Sequence, residues 1–115
     1  MGTNSEALQL IADEFVRTLP DRMQDIHDAH EQLKQSPGVR EFLDDFYHKV
    51  HNLSGSSGTF GFTLFSQISR DILNILEPAI KGETELNAEM LVAIDPALSD
   101  LDVEARAPVQ TEGWL

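Results

Sequence analysis

The chain has 115 residues, enough for one domain, and its 41% hydrophobic and 24% charged residues are typical of globular proteins rather than disordered or fibrous ones. Eight basic and 20 acidic residues give a net charge of −12, which repels nucleic-acid phosphates and anionic lipids, so we expect neither nucleic-acid binding nor membrane docking. The lack of cysteine excludes disulfides, thiolate nucleophiles and cysteine-ligated metals. The lack of a long apolar run or a secretory leader predicts a cytoplasmic domain.

Hydrophobic residues recur at spacings of three and four along most of the chain, which predicts an all-α fold. The predicted helical segments are residues 5–19, 19–35, 39–60, 63–81 and 87–104. Because proline removes a backbone donor, Pro20 is expected to separate the first two helices, and Pro96 to break or kink the last. Helices of this length favour an antiparallel up-and-down four-helix bundle, here with an additional N-terminal helix. The bundle domain is predicted over 1–105, followed by a linker or tail over 106–115 that contains Trp114.

Twenty consecutive residues, from Val50 to Ser69, contain no Asp, Glu, Lys or Arg, where the composition predicts about five. His51 lies in this segment, two residues before Leu53 of the apolar stripe; that spacing places it about 160° around the helix, facing water. Gly55 and Gly58 follow on the same strip of the helix, where glycine costs stability and contributes nothing to the core. We infer that another backbone or another protein must come close beside His51.

The twelve residues from His51 to Phe62, HNLSGSSGTFGF, resemble the signature of histidine phosphotransfer (HPt) domains of multistep phosphorelays. That signature begins with His-x-Leu, continues with a position that is often lysine, and ends with Gly-x-x-Gly-x-x-Gly. The resemblance implies an HPt-like bundle in which His51 is the phosphoacceptor. It also implies that Gly55 and Gly58 leave room for a partner receiver domain and that Gly61 turns the chain into the next helix.

The resemblance further implies a partner-binding surface around His51. Its predicted members are Asp44, His48, Asn52, Ser54, Gly55, Gly58 and Thr59. The expected partners are a response-regulator receiver domain or a sensor histidine kinase, with this chain as a monomer. Since the chain has neither a glycine-rich nucleotide loop nor clustered acids beside His51, we expect it to bind no cofactor and the receiver domain to bring Mg²⁺. It would then be a phosphocarrier rather than a self-sufficient enzyme.

Two positions depart from the family pattern. Ser54 stands where the family often has lysine, and Leu73 falls where it often has a polar side chain that hydrogen-bonds the histidine. Arg70, Gln67 or Asn74 could take over that second role. These departures suggest a first alternative, a module that binds a receiver domain without accepting phosphate. A second alternative is a purely structural helical adaptor, for which the motif would be a coincidence.

Other histidine patterns have simpler explanations. Asp44, His48 and His51 share one strip and could bind a metal, but open helix faces rarely form a closed metal site. His27 and His30 also lie one turn apart. Because His30 falls in the apolar stripe of the second predicted helix, we expect it to be partly buried and hydrogen-bonded.

Overall fold

A computed structural model describes residues 3–111, with side chains from residue 6 onward. The described part contains four α-helices and no strands: α1 (Thr3–Gln35), α2 (Arg40–Thr59), α3 (Thr63–Ile80) and α4 (Ala88–Arg106). Consecutive helices pack against each other, and α1 also contacts α4. The predicted all-α four-helix bundle is confirmed. No helix in this part of the chain is long and apolar enough to span a membrane.

The core is formed by one buried stripe from each helix. Its largest members with under 2% exposure include Leu19, Ile26, Leu33, Phe46, Leu53, Phe65, Ile72, Leu76, Ile94 and Leu101. Burying each such side chain contributes roughly 1.5–3 kcal/mol. Between α2 and α3 the buried residues include small ones, Ser54, Ser57, Ser66 and Ser69, so the two helices can lie close together. This close packing fixes α2, which carries His51.

The predicted helix boundary at Pro20 is wrong, because α1 continues through it. The additional N-terminal helix is therefore the first part of α1 rather than a separate element. Phe15, Leu19 and Met23 are all buried, so the apolar stripe passes Pro20 in phase. Proline inside a helix costs about 3 kcal/mol, and the burial on both sides of Pro20 offsets that cost.

At Pro96 we expected a break or a kink, and the break is wrong, since α4 is continuous from Ala88 to Arg106. A kink at Pro96 stays a prediction. Ile94 and Leu98, on either side of the proline, are both buried on the face toward the core. The start of this helix was predicted correctly: the Asn87 side chain accepts a hydrogen bond from the Met90 backbone N–H at 3.0 Å.

Two histidines of α1 face α4. His30 was predicted to be partly buried and hydrogen-bonded, but it is only 5% exposed and the expected bond is missing. Its Nε2 has no hydrogen-bond partner, and the Asp95 carboxylate is 3.8 Å away. Its ring packs 5.4 Å from that of Phe46, and burial lowers the pKa of His30. His27 instead bonds through Nε2 to both carboxylate oxygens of Asp102, at 2.7 and 2.9 Å, which joins α1 to α4.

The segment after α4 is non-helical through Thr111, as expected for a tail, but it is hydrogen-bonded to the bundle. Gln110 Nε2 donates to the Phe60 carbonyl at 2.7 Å, and the Thr111 backbone N–H donates to the Gly61 carbonyl at 2.9 Å. The tail therefore contacts the turn between α2 and α3. Trp114 lies outside the described residues, and the division between domain and tail at residue 105 stays a prediction.

Candidate functional site

The predicted site residues other than Ser54 form one exposed face of α2. His51, His48, Asn52, Gly55, Gly58 and Thr59 are exposed, and Asp44 is half-buried. An open groove of about 420 Å³ runs along this face from the imidazole toward the end of the helix. Its lining residues are His51, Asn52, Gly55, Ser56, Thr59 and Phe60. The side chain of His51 is therefore accessible, with empty space next to it.

The two glycines of this face differ in what surrounds them. A Cβ atom added at Gly55 would meet no heavy atom within 4 Å, so the fold does not require glycine there. A Cβ atom added at Gly58 would lie 3.2 Å from Ser66 Oγ on α3. The packing of the domain thus does not require glycine at position 55, whereas Gly58 lies where a side chain would press on α3.

Gly61 makes the turn from α2 into α3, as expected. Its φ of 84° lies in the left-handed region, which side chains other than glycine rarely adopt. The turn is closed by the Phe62 backbone N–H, which donates to the Ser57 carbonyl at 2.9 Å. This tight turn reverses the chain direction, so α3 packs against α2, the helix that carries His51.

Ser54 departs from its predicted place on the partner-binding surface. It is only 5% exposed and faces α3, where the Ser66 hydroxyl donates to its carbonyl oxygen at 3.0 Å. The reason is angular, since three residues after His51 correspond to about 60° around the helix. That rotation carries Ser54 into the interface between α2 and α3, away from any partner.

No side chain in the described part of the chain hydrogen-bonds the His51 ring. Leu73 is buried on α3 and has no polar atom to offer. The three candidate substitutes, Arg70, Gln67 and Asn74, are exposed and make no bond to it. The ring partner of His51 is Tyr47, one turn earlier, with ring centroids 6.3 Å apart and planes inclined by 18°. Sequence analysis missed this contact, although the spacing of four residues on one helix strip would have indicated it.

Charge on this face is low. The Asp44 carboxylate accepts a hydrogen bond from Arg40 Nε at 2.9 Å, and the same guanidinium donates to the carbonyls of Ala79 and Ile80 at the end of α3. His48 Nδ1 donates to the Asp44 carbonyl at 2.8 Å. Among the described residues, no group of three His, Asp or Glu side chains could hold a metal ion. The face therefore presents neutral groups around His51.

The chain is similar in sequence to two chemotaxis proteins. The chemotaxis protein CheA of Salmonella typhimurium (strain LT2) is 30% identical over 87 residues, covering 76% of this chain and 12% of that protein. CheA of Bacillus subtilis (strain 168) is 23% identical over 90 residues, covering 78% and 13%. The chain thus spans only about an eighth of these curated relatives.

Two solved structures share the fold. The CheA phosphotransferase domain from Thermotoga maritima superposes with a TM-score of 0.71 at 23% identity, covering 91% of this chain and 96% of that one. A computationally redesigned four-helix bundle gives a TM-score of 0.72 at 19% identity, covering 91% and 99%. The family model of the Hpt domain matches residues 10–104, which include His51 and its glycines. The chain therefore belongs to the Hpt domain family.

Proposed function

We propose that His51 is the residue through which this Hpt domain carries a phosphoryl group in a phosphorelay. The observation that supports this assignment is the exposed imidazole beside the open groove and Gly55, where an added side chain would touch nothing in the domain itself. The proposed donor is an aspartyl phosphate of a response-regulator receiver domain or a sensor histidine kinase. The proposed acceptor is the aspartate of a receiver domain.

The proposed chemistry uses the imidazole as a nucleophile. The lone pair of its unprotonated ring nitrogen attacks the phosphorus of an aspartyl phosphate, so that an N–P bond forms while the P–O bond to the aspartate breaks. The carboxylate leaves with the bonding pair, and the proton on the other ring nitrogen passes to solvent. Transfer onward is the reverse: an aspartate oxygen attacks phosphorus, and the imidazole leaves with the N–P pair and regains a proton.

Transfer of this kind depends mainly on positioning and charge neutralisation. In our proposal the domain contributes position, because α2 is fixed by its packing and the groove admits the partner. We assign the Mg²⁺ that neutralises the phosphoryl oxygens to the receiver domain. The proposed docking surface consists of Asp44, His48, His51, Asn52, Gly55, Gly58 and Thr59, without the buried Ser54. A cytoplasmic location and a monomeric state stay predictions.

The test is intact-mass analysis after incubation with phosphoramidate, a small donor whose P–N bond to ammonia breaks as the bond to histidine forms. We expect one acid-labile phosphoryl adduct in the wild type and in His48→Gln, and none in His51→Gln. His48 is the matched control because it is also exposed and lies one turn away. An unmodified wild type, or an adduct that persists in His51→Gln, would refute the proposal.

A second candidate function is receiver binding without phosphotransfer. It is favoured by the unbonded ring nitrogens of His51 and by the apolar Leu73, which leave no hydrogen bond to select a tautomer. Titration of the domain with a receiver domain separates the two functions. In this second case the domain binds the receiver domain, yet takes no phosphoryl group either from it or from phosphoramidate.

A further inference from the structure

The His51 imidazole is in contact with an aromatic ring, that of Tyr47, rather than with a hydrogen-bonding side chain. The Tyr47 ring lies nearly parallel to the imidazole, with an angle of 18° between planes and 6.3 Å between centroids. Tyr47 is half-buried and packs against the hydrophobic core, whereas His51 is exposed. A side chain held by the core therefore lies against one that is otherwise free to rotate.

The direction of side chains on a helix explains this contact. Long side chains lean toward the N-terminus, so a residue covers the turn that precedes it. His51 accordingly leans onto Tyr47, whereas Gly55, one turn after His51, has no side chain to lean onto the imidazole. The centroid distance lies within the range of favourable offset stacking.

The Tyr47 ring packs against two histidine rings, those of His48 and His51, in different geometries. His48 meets the tyrosine ring edge-on, at 6.2 Å and 89°, and its Nδ1 is already fixed by the Asp44 carbonyl. Tyr47 is the aromatic ring that stacks on the His51 imidazole, and no described side chain hydrogen-bonds the imidazole nitrogens. The stack therefore restricts the ring plane while leaving both nitrogens open to a reactant.

We propose that Tyr47 is a positioning residue that holds the His51 imidazole by ring stacking in an orientation suited to phosphoryl transfer. The proposal rests on the proposed function of His51. It assigns the orienting role to an aromatic side chain on α2 itself, rather than to a polar side chain on α3. The aromatic ring of Tyr47, and not its phenol hydroxyl, holds the imidazole in this proposal, because no hydrogen bond joins the hydroxyl to His51.

The test compares Tyr47→Phe, which keeps an aromatic ring, with Tyr47→Leu, which keeps apolar packing without one. In NMR spectra of the unphosphorylated domain, the ring-proton shifts of His51 should be retained in Tyr47→Phe and move toward those of an unstacked histidine in Tyr47→Leu. The rate of phosphorylation by phosphoramidate should be unchanged in Tyr47→Phe and roughly two- to tenfold lower in Tyr47→Leu. Urea unfolding of both variants shows whether the fold is kept.

The outcomes separate this proposal from the one on which it rests. Equal phosphorylation rates for wild type and Tyr47→Leu overturn the role of Tyr47 and leave His51 as the acceptor. A Tyr47→Phe variant as slow as Tyr47→Leu also overturns it, because the hydroxyl would then be the essential group. A wild type that takes up no phosphoryl group overturns the proposed function, and the positioning role with it.

Discussion

Replacing each of the two α2 glycines by alanine separates what the fold needs from what a partner needs. Alanine is about 1 kcal/mol better than glycine in a helix interior. At Gly55 the new methyl group meets nothing within 4 Å, so the free energy of unfolding should rise by about this amount. At Gly58 it would lie 3.2 Å from Ser66 Oγ, a buried hydroxyl that donates to the Ser54 carbonyl. Disturbing that bond costs about 1 kcal/mol, so the net change should be close to zero or destabilising.

Urea unfolding followed by circular dichroism measures both changes, with similar m-values showing that the unfolded states are comparable. The order matters most: Gly55→Ala should be more stable than wild type, and Gly58→Ala should not. A destabilised Gly55→Ala, or equal stabilisation by both substitutions, would refute this account of the two positions.

A longer side chain at Gly55 tests the docking surface. Gly55→Gln should fold and react with phosphoramidate, because nothing in the domain opposes the side chain, but it should lose transfer to a receiver domain. Ala93→Gln, at an exposed position on α4, is the matched control and should transfer normally. Undiminished transfer by Gly55→Gln would show instead that the partner does not need the empty space at Gly55, and would refute its place on the docking surface.

Three further predictions follow from the fold and its charges. Burial lowers the pKa of His30 from its ordinary value of 6.5, so the imidazole takes up a proton at higher pH in the unfolded chain than in the folded one. The free energy of unfolding should therefore fall as the pH decreases below about 6.5. The fall should be smaller in His30→Leu, which has no imidazole to protonate. Gln110→Ala removes the bond to the Phe60 carbonyl and should speed amide hydrogen exchange in the turn after α2, at a cost of about 1 kcal/mol or less, while exchange in α4 stays unchanged. Receiver binding should weaken only modestly between low and physiological salt, and a steep fall measured by titration calorimetry would contradict a neutral docking surface.

The sequence predicted whatever depends on periodicity along one helix. The apolar stripe through Leu53 was correctly assigned to the core, and the same periodicity placed His51 on the opposite, exposed face. The signature after His51 then indicated the family. These features are local, because a residue's angle on a helix follows from its number alone.

Features that depend on contacts between elements were not predictable in the same way. Pro20 and Pro96 are helix breakers by local propensity, yet burial on both sides of each keeps the helix continuous. Ser54 was assigned to the exposed face, although its angle relative to α3 decides its burial. The bonds from Gln110 and Thr111 to the turn join residues 50 positions apart, and no spacing in the sequence indicates such a pairing.

The distribution of charge bears on how so acidic a chain could carry a phosphoryl group. A phosphoryl group adds further negative charge to a domain with a net charge of −12, so carboxylates close to His51 would oppose it. The nearest acid on its strip is Asp44, seven residues away and bonded to Arg40, while the segment from Val50 to Ser69 has none.

Asn52→Asp places one carboxylate next to His51 with almost no change in shape, which makes it a direct test of this neutrality. At separations of about 4–8 Å in water the repulsion is roughly 0.5–1 kcal/mol, which corresponds to a two- to fivefold slower reaction with phosphoramidate. Because Asn52 is exposed, added salt should screen the effect and bring the two rates together. Equal rates at low salt, or a difference that salt does not reduce, would refute the view that the absence of carboxylates around His51 favours its phosphorylation.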